Sequence, residues 1–352
     1  MIHILLLGYI FQVYPYIGLP RELALLPIAT IYFLWLLNNP KQHLIGLSLC
    51  LIFLCISIVF SQELKDISAL VGKVLICFLV YSATSIYIKD VDRLKNVIYM
   101  VFSFLLFEAL LRSMCMTPSL PLLLAGPLSY KTECSPFFFD SNTSGNIVAL
   151  LYAILLYTAK SHKKIVIISM ALVLVVLSLL TASKASFITC ICISLLYIFE
   201  KIVRSDGIRF AIIFSVVVIV GGIVIGLLSF DPSFASKLDF VTHLFQSLLD
   251  RPQDYIFGHG YYTGAKALAG KLEFAHINPA LVIGTCGLLG AILYYGFIVK
   301  SMFYSASSFM MLSAFLLLSL SYLPPFFDYY FVLIAMAERA IKLNRESLRI
   351  VS

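Results

Sequence analysis

Long apolar runs separated by short polar connections fill most of this chain and limit what it can fold into. Apolar residues make up 61% of its 352 residues and charged residues only 12%, whereas a soluble domain carries roughly 25% charged residues. Such a chain cannot cover its apolar surface in water. Because only helices and closed barrels satisfy backbone polar groups in lipid, the pattern predicts an all-α polytopic membrane protein.

The apolar runs predict about twelve transmembrane helices in a single integral membrane domain, residues 1–352. One helical crossing needs about 20 apolar residues. Suitable runs lie near residues 2–19, 22–37, 43–60, 67–88, 94–112, 143–159, 164–182, 185–203, 208–228, 276–299, 301–322 and 326–341. The second and the last of these runs are the shortest, and no separate soluble domain fits in what remains.

The basic residues between the runs predict the orientation of the chain. Alternate connections hold fifteen of them: Lys41, Lys89, Arg93, Lys95, Lys160, Lys163, Lys164, Lys201, Arg204, Arg209, Lys300, Arg339, Lys342, Arg345 and Arg349. The opposite short connections hold only Arg21, Lys65 and Lys184. Since basic residues concentrate in cytoplasmic connections, both termini are expected in the cytoplasm.

This topology sends the two longest connections, residues 113–142 and 229–275, to the outer face of the membrane. Long loops in compact proteins are usually functional. The basic residues are scattered singly, so the net charge of +7 does not indicate a nucleic-acid partner. No Cys or His spacing typical of a metal site occurs, so neither a metal nor a cofactor is predicted.

The first long loop ends in Phe139-Asp140-Ser141-Asn142, just before the sixth predicted span. Asp, Ser and Asn at this position are ordinary helix caps. They also open a helix whose N–H groups and positive dipole end would favour phosphate oxygens. Asp140 and Asn142 are therefore candidate substrate contacts.

A tight turn, Thr181-Ala182-Ser183-Lys184, joins the seventh and eighth predicted spans on the side that otherwise lacks cations. Snorkelling of a long lysine side chain to the lipid headgroups explains the position of Lys184. An ammonium group at that place would equally clamp a diphosphate.

The second long loop carries Arg251 and the segment Phe257-Gly258-His259-Gly260, and it leads into His276-Ile277-Asn278 at the start of the tenth predicted span. Arginine takes phosphate bidentately, and a histidine at the loop mouth is suited to acid–base work. Further along this span, small residues follow at helical spacing, which predicts a stripe for close helix packing. The stripe consists of Gly284, Gly287 and Gly290.

Ionisable residues inside predicted spans are costly in hydrocarbon and normally face a cavity or a partner. Glu108 and Arg112 are four residues apart, so they are expected to neutralise each other on one helix face. Lys73 has no obvious partner within its own span. It is included as a candidate substrate contact for that reason.

These motifs, in this order and between loops of these sizes, resemble the O-antigen polymerase and O-antigen ligase superfamily. The resemblance covers residues 137–300, and residues 1–136 only by hydropathy. Lys184 stands where the family often has arginine. Thr285-Cys286 replaces a glutamate that is common in ligases, which favours a polymerase.

The resemblance implies a glycosyltransferase that joins undecaprenyl-diphosphate-linked oligosaccharides at the periplasmic face of the inner membrane. His276 would act as the base, and Arg251 and Lys184 would hold the diphosphate. Lesser contacts would come from Asn278, His259 and Asn142. It also implies membrane lipid as surroundings, and a chain-length regulator and a flippase of the same pathway as partners. An O-antigen ligase and, in a different class, a lipid-linked oligosaccharide flippase remain alternatives.

Overall fold

The computed structural model describes residues 64–116, 141–181, 183–203, 278–320 and 327–351, together with single positions between 207 and 258. The described ranges form eight α-helices and contain no strand. The helices are α1 (Leu64–Tyr87), α2 (Val91–Met116), α3 (Ser141–Tyr157), α4 (Lys164–Leu180), α5 (Lys184–Ile202), α6 (Asn278–Met302), α7 (Ala306–Ser319) and α8 (Asp328–Val351). The predicted spans near 2–19, 22–37 and 43–60 lie outside the described residues, and the one near 208–228 is described only at single positions.

Each of the other eight apolar runs coincides with one of these helices, so the prediction of an all-α fold is confirmed for this part of the chain. Two bounds differ clearly from the prediction. Helix α8 continues to Val351, ten residues past the predicted end. The chain after residue 341 is too polar for a membrane span, but it extends the same amphipathic helix. Helix α7 is shorter than predicted, starting only at Ala306 behind a capping box formed by Ser305 and Ser308.

Helix α3 lies at the centre of the described bundle. Its residues 143–156 are all buried, and it packs against α2, α4, α5, α7 and α8. A helix that is apolar on every side can be stable only when neighbours surround it. The central position of α3 places its first turn among the ends of several other helices.

Aromatic rings join α1, α6 and α8 on another side of the bundle. Phe297 of α6 stacks on Phe331 of α8, with ring centroids 5.9 Å apart. Phe78 of α1 lies 5.3 Å from the Phe297 ring and 5.6 Å from the Phe331 ring. These contacts hold the second part of α6 against α1 and α8.

The helix termini gather at two opposite ends of the described bundle, and these two ends differ chemically. At the first end, which we call the basic end, side-chain contacts tie the connections to one another. These contacts are Arg339 with Ile88, Asn344 with Tyr157, Ser307 with Glu200, Arg345 with Tyr304, and Tyr99 with His162. The opposite end, which we call the polar end, holds the first turns of α3, α5 and α8 and the last turns of α2 and α4.

Large apolar side chains on the outside of the bundle indicate a membrane protein. On α4, Ile165, Leu172 and Leu179 are 73%, 63% and 54% exposed. Successive members of this set are seven residues apart, which places them on one helix face. An exposed apolar stripe of this length is stable in lipid and not in water. By length and composition alone, three helical segments of the described ranges are also apolar enough to cross a membrane, namely Val91–Arg112, Lys184–Ile202 and Asn278–Met302, the last of which breaks at Gly287.

Helix α6 is two half-helices that turn back toward each other at Gly287. Gly287 has non-helical angles, with φ 67° and ψ −175°. The Tyr295 hydroxyl donates to Asn278 Oδ1 at 2.6 Å. In a continuous helix, 17 residues would separate these two groups by about 25 Å along the axis, farther than both side chains reach. The predicted helical stripe of Gly284, Gly287 and Gly290 is therefore wrong at its middle member, because Gly287 is where the helix breaks.

We expect Tyr295→Phe to weaken the contact between the two half-helices. Asn278 is fully buried, and the substitution removes a hydroxyl donor from its side-chain oxygen. The loss of one hydrogen bond at a buried polar group costs about 1–3 kcal/mol. Thermal unfolding of the purified protein in detergent measures the effect. Tyr304→Phe is the control. Because Tyr304 is 55% exposed, this substitution should change the unfolding midpoint little. Equal midpoints for the two variants would contradict the fold-back contact.

Candidate functional site

A buried ion pair lies near the polar end of the bundle. Arg112 Nη2 of α2 donates to Glu108 Oε1 at 2.7 Å and to Ser144 Oγ of α3 at 2.9 Å. The side chains of Arg112 and Glu108 are only 3% and 2% exposed. The prediction that these two residues pair on one helix face is confirmed. The serine shows, in addition, that the pair faces the first turn of α3.

A chain of polar contacts continues from α3 to two further helices. Asn146 Nδ2 donates to the hydroxyl of Tyr330 in α8 at 3.4 Å. The Ser186 hydroxyl of α5 lies 3.4 Å from Asn146 Oδ1 and 2.8 Å from Ser183 Oγ. All four residues are buried. We use the name polar cluster for Glu108, Arg112, Ser144, Asn146, Ser183, Ser186 and Tyr330.

Gly145 lets the turn before α5 pack directly on the first turn of α3. A Cβ atom at Gly145 would lie 2.4 Å from Ser186 Oγ, 2.7 Å from Ser183 Cβ and 2.9 Å from Thr181 Oγ1. No side chain larger than hydrogen fits such a gap. The glycine thus brings two motifs of the sequence together, the helix start at Ser141 and the Thr181–Lys184 turn.

Lys184 and Asn142 occupy first-turn positions of α5 and α3, the two helices that this contact joins. Lys184 is exposed, and Asn142 is half-buried. Both helices direct their first-turn backbone N–H groups and the positive end of the helix dipole toward this end of the bundle. The positive ends of these two helix dipoles and the Lys184 ammonium therefore lie together at the polar end.

The Arg112 guanidinium supplies a further donor in the polar cluster. Two of its hydrogen bonds use Nη2, whereas Nε is buried without a hydrogen-bond partner among the described residues. Buried donors without partners are rare in proteins and mark places where a ligand or water belongs. An arginine fork donates paired hydrogen bonds to phosphate or carboxylate oxygens. The polar cluster therefore has the chemistry of an anion-binding site.

The break in α6 receives the backbone of Gly258, a residue of the segment predicted as the second long loop. Gly258 is buried, with φ 79°. A Cβ atom there would lie 2.6 Å from Gly287 N and from Thr285 O, and 2.7 Å from Cys286 N. The loop backbone thus touches the main chain where the half-helices meet. The sequence marked the Gly258 and Gly287 segments separately, and the structure joins them.

The structure describes only some of the predicted site residues. Asn278 is fully buried at the start of α6, and Lys73 is exposed on α1. His276, Arg251, His259 and Asp140 lie outside the described residues, so their roles stay predictions. Lys184 and Asn142 lie on helices that pack together.

Several members of the polar cluster were not singled out by sequence reasoning. Tyr330 is the clearest case, because one tyrosine in an apolar helix resembles an ordinary core residue. Its position two residues after Asp328, in the first turn of a predicted span, was the available signal. Arg112 was interpreted as a neutralised charge only. No group of His, Cys, Asp and Glu suited to a metal ion occurs among the residues that the structure describes.

A separate polar contact lies at the basic end, in the connection between α3 and α4. His162 Nδ1 and the Tyr99 hydroxyl are 2.8 Å apart. Burial, and to a smaller extent the Lys95 charge, hold the pKa of His162 below its ordinary value. The imidazole is therefore neutral near pH 7.

No protein-family model, curated protein or solved structure matches the chain.

Proposed function

We propose that this protein is a lipid-diphosphate-dependent glycosyltransferase of the O-antigen polymerase type. It would move a growing glycan from its undecaprenyl diphosphate carrier onto the terminal sugar of a second lipid-linked repeat. One observation carries the proposal: Gly145 lets the Thr181–Lys184 turn pack on the helix start at Asn142, two motifs on which the resemblance depends. The buried Arg112 beside them has the donor groups that an anionic substrate requires.

The proposed fold contains twelve transmembrane helices, with residues 113–142 and 229–275 as long periplasmic loops and both termini in the cytoplasm. The concentration of contacts among lysine- and arginine-bearing connections at the basic end supports this orientation, because such residues gather on the cytoplasmic side. The polar end then faces the periplasm, at the level of a lipid carrier's headgroup. The protein would work beside a chain-length regulator and a flippase.

The proposed reaction needs a base and cations. His276 would take the proton from the acceptor hydroxyl while its oxygen attacks the anomeric carbon of the donor sugar. The bond between that carbon and the diphosphate oxygen breaks, and undecaprenyl diphosphate leaves. Arg251 and Lys184 would stabilise the charge that develops on the diphosphate. Asn278, His259, Asn142, Asp140 and Lys73 would contact the sugars or the carrier.

One observation favours a second candidate, a lipid-linked oligosaccharide transporter. A broken helix such as α6 is typical of transporter substrate sites, although those proteins usually contain a matching pair. A deletion strain separates the candidates. Loss of a polymerase leaves lipid A core bearing one repeat, whereas loss of a flippase or a ligase leaves core bearing none.

We expect His276→Ala, Arg251→Ala and Lys184→Gln to shorten or abolish the polysaccharide ladder on a gel. Loss of one stabilising group at a developing charge lowers a rate by about 10²–10³-fold. Lys300→Gln is the matched control, because Lys300 is also an exposed lysine near a helix end, but at the basic end. Normal ladders from His276→Ala and Arg251→Ala proteins inserted at normal levels would contradict the proposal.

A further inference from the structure

A groove between α3, α4 and α5 opens at the basic end, away from the polar cluster. Its volume is about 620 Å³. The walls are mostly apolar and include Ile168, Leu172 and Val175 of α4. Ile168 and Leu172 are 56% and 63% exposed, so the groove lies beside an apolar outer face. Its interior would therefore contact lipid chains.

Three lysines surround one end of the groove. They are Lys160, Lys164 and Lys201, and no Asp or Glu belongs to the lining. Glu200, the acidic neighbour of Lys201, instead accepts a hydrogen bond from Ser307 of α7 at 2.6 Å. The Lys201 ammonium lies 5.1 Å from the centre of the Tyr197 ring, another lining residue. The mouth thus carries positive charge without a compensating carboxylate in its walls.

The length of the groove matches one leaflet of a bilayer. From Lys164 to Val175, α4 rises about 16 Å. The hydrocarbon core of a bilayer is about 30 Å thick, so one leaflet contributes about 15 Å. A phospholipid with its phosphate at the lysines would lay one acyl chain along the apolar wall as far as Val175.

We propose that this groove binds an acidic phospholipid of the surrounding membrane. The headgroup phosphate lies among Lys160, Lys164 and Lys201, and an acyl chain lies along Ile168 and Leu172. Charge complementarity selects an anionic headgroup over a zwitterionic one, because each lysine near the surface adds to the attraction. The site is independent of the proposed glycosyltransferase chemistry, which concerns the opposite end of the bundle.

A titration of the purified full-length protein in detergent tests this proposal. Native mass spectrometry would measure binding of phosphatidylglycerol and, in parallel, of phosphatidylethanolamine. We expect Lys164→Gln/Lys201→Gln to weaken phosphatidylglycerol binding about thirtyfold. The matched control is Lys89→Gln/Lys300→Gln, which removes the same charge at the same end from two exposed lysines outside the groove. It should retain binding.

A second variant tests the apolar part of the site. Ala171→Phe fills the groove without changing charge, since Ala171 belongs to its lining. We expect it to displace the acyl chain and to lower phosphatidylglycerol binding, while excess inorganic phosphate should compete poorly. Three results would each overturn the proposal. The two lipids could bind equally well, the two lysine double variants could lose equal affinity for phosphatidylglycerol, or Ala171→Phe could leave its binding unchanged. Strong competition by inorganic phosphate would also overturn it, because the occupant would then be a free anion.

Discussion

Gly258→Ala is expected to disrupt the packing at the break in α6 and, with it, the activity. The new Cβ atom would lie 2.6 Å from Gly287 N and from Thr285 O, which are main-chain atoms that no rotamer change can move. The φ of 79° is also unfavourable for alanine. Steric overlap and backbone strain together should cost about 3 kcal/mol or more. Thermal unfolding in detergent measures this loss.

Gly296→Ala is the matched control for that prediction. Gly296 lies in the second half of the same helix, and an added Cβ would meet nothing within 4 Å. Alanine in place of an exposed helical glycine should raise stability by about 0.5–1 kcal/mol. If Gly258→Ala unfolded at the temperature of the wild-type protein, the contact between the loop backbone and the α6 break would be disproved.

Arg112→Leu is expected to destabilise the protein by about 3–5 kcal/mol, because it leaves the Glu108 carboxylate buried without its cationic partner. Glu108 is 2% exposed, so water cannot replace the guanidinium. The exposed pair of Lys95 and Asp92 offers a contrast. Asp92→Ala should change stability by no more than about 1 kcal/mol, as surface ion pairs contribute little.

The double variant Glu108→Leu/Arg112→Leu separates packing from function. Replacing a buried ion pair by apolar residues of similar volume is often neutral for stability. We therefore expect the double variant to unfold near the wild-type temperature. If Arg112 also holds an anionic substrate, the double variant should still lack a polysaccharide ladder. If the double variant were as stable as the wild-type protein and gave a full polysaccharide ladder, the ion pair would have only a structural role.

The sequence predicted the helices well because hydropathy is a local property. A run such as residues 143–159 is apolar whatever surrounds it, and the structure forms α3 there. The i,i+4 spacing of Glu108 and Arg112 likewise predicted their pairing, since a helix alone brings such residues together. Hydropathy predicts the ends of helices less well than their centres. The last predicted span ended near residue 341, although α8 continues to Val351.

The candidate site could be predicted only in part. The Thr181–Lys184 turn and the helix start at Asn142 were marked as separate motifs. Their contact depends on Gly145, which looks like any small residue in a predicted span. The break at Gly287 was hidden for a related reason. Glycines at positions 284, 287 and 290 fit a continuous helix, and only the Gly287 backbone angles and the Tyr295 contact with Asn278 reveal the turn.

The amino-acid sequence by itself determined that this chain is helical and suited to a membrane, and that basic residues fall on alternate connections. Composition, run length and charge order decide those properties without reference to distant residues. Only the tertiary structure decided that α3 lies at the centre, that α6 folds back and that the polar cluster forms. Each of these depends on contacts between segments far apart in the chain, where a missing Cβ or one hydrogen bond determines which surfaces can meet.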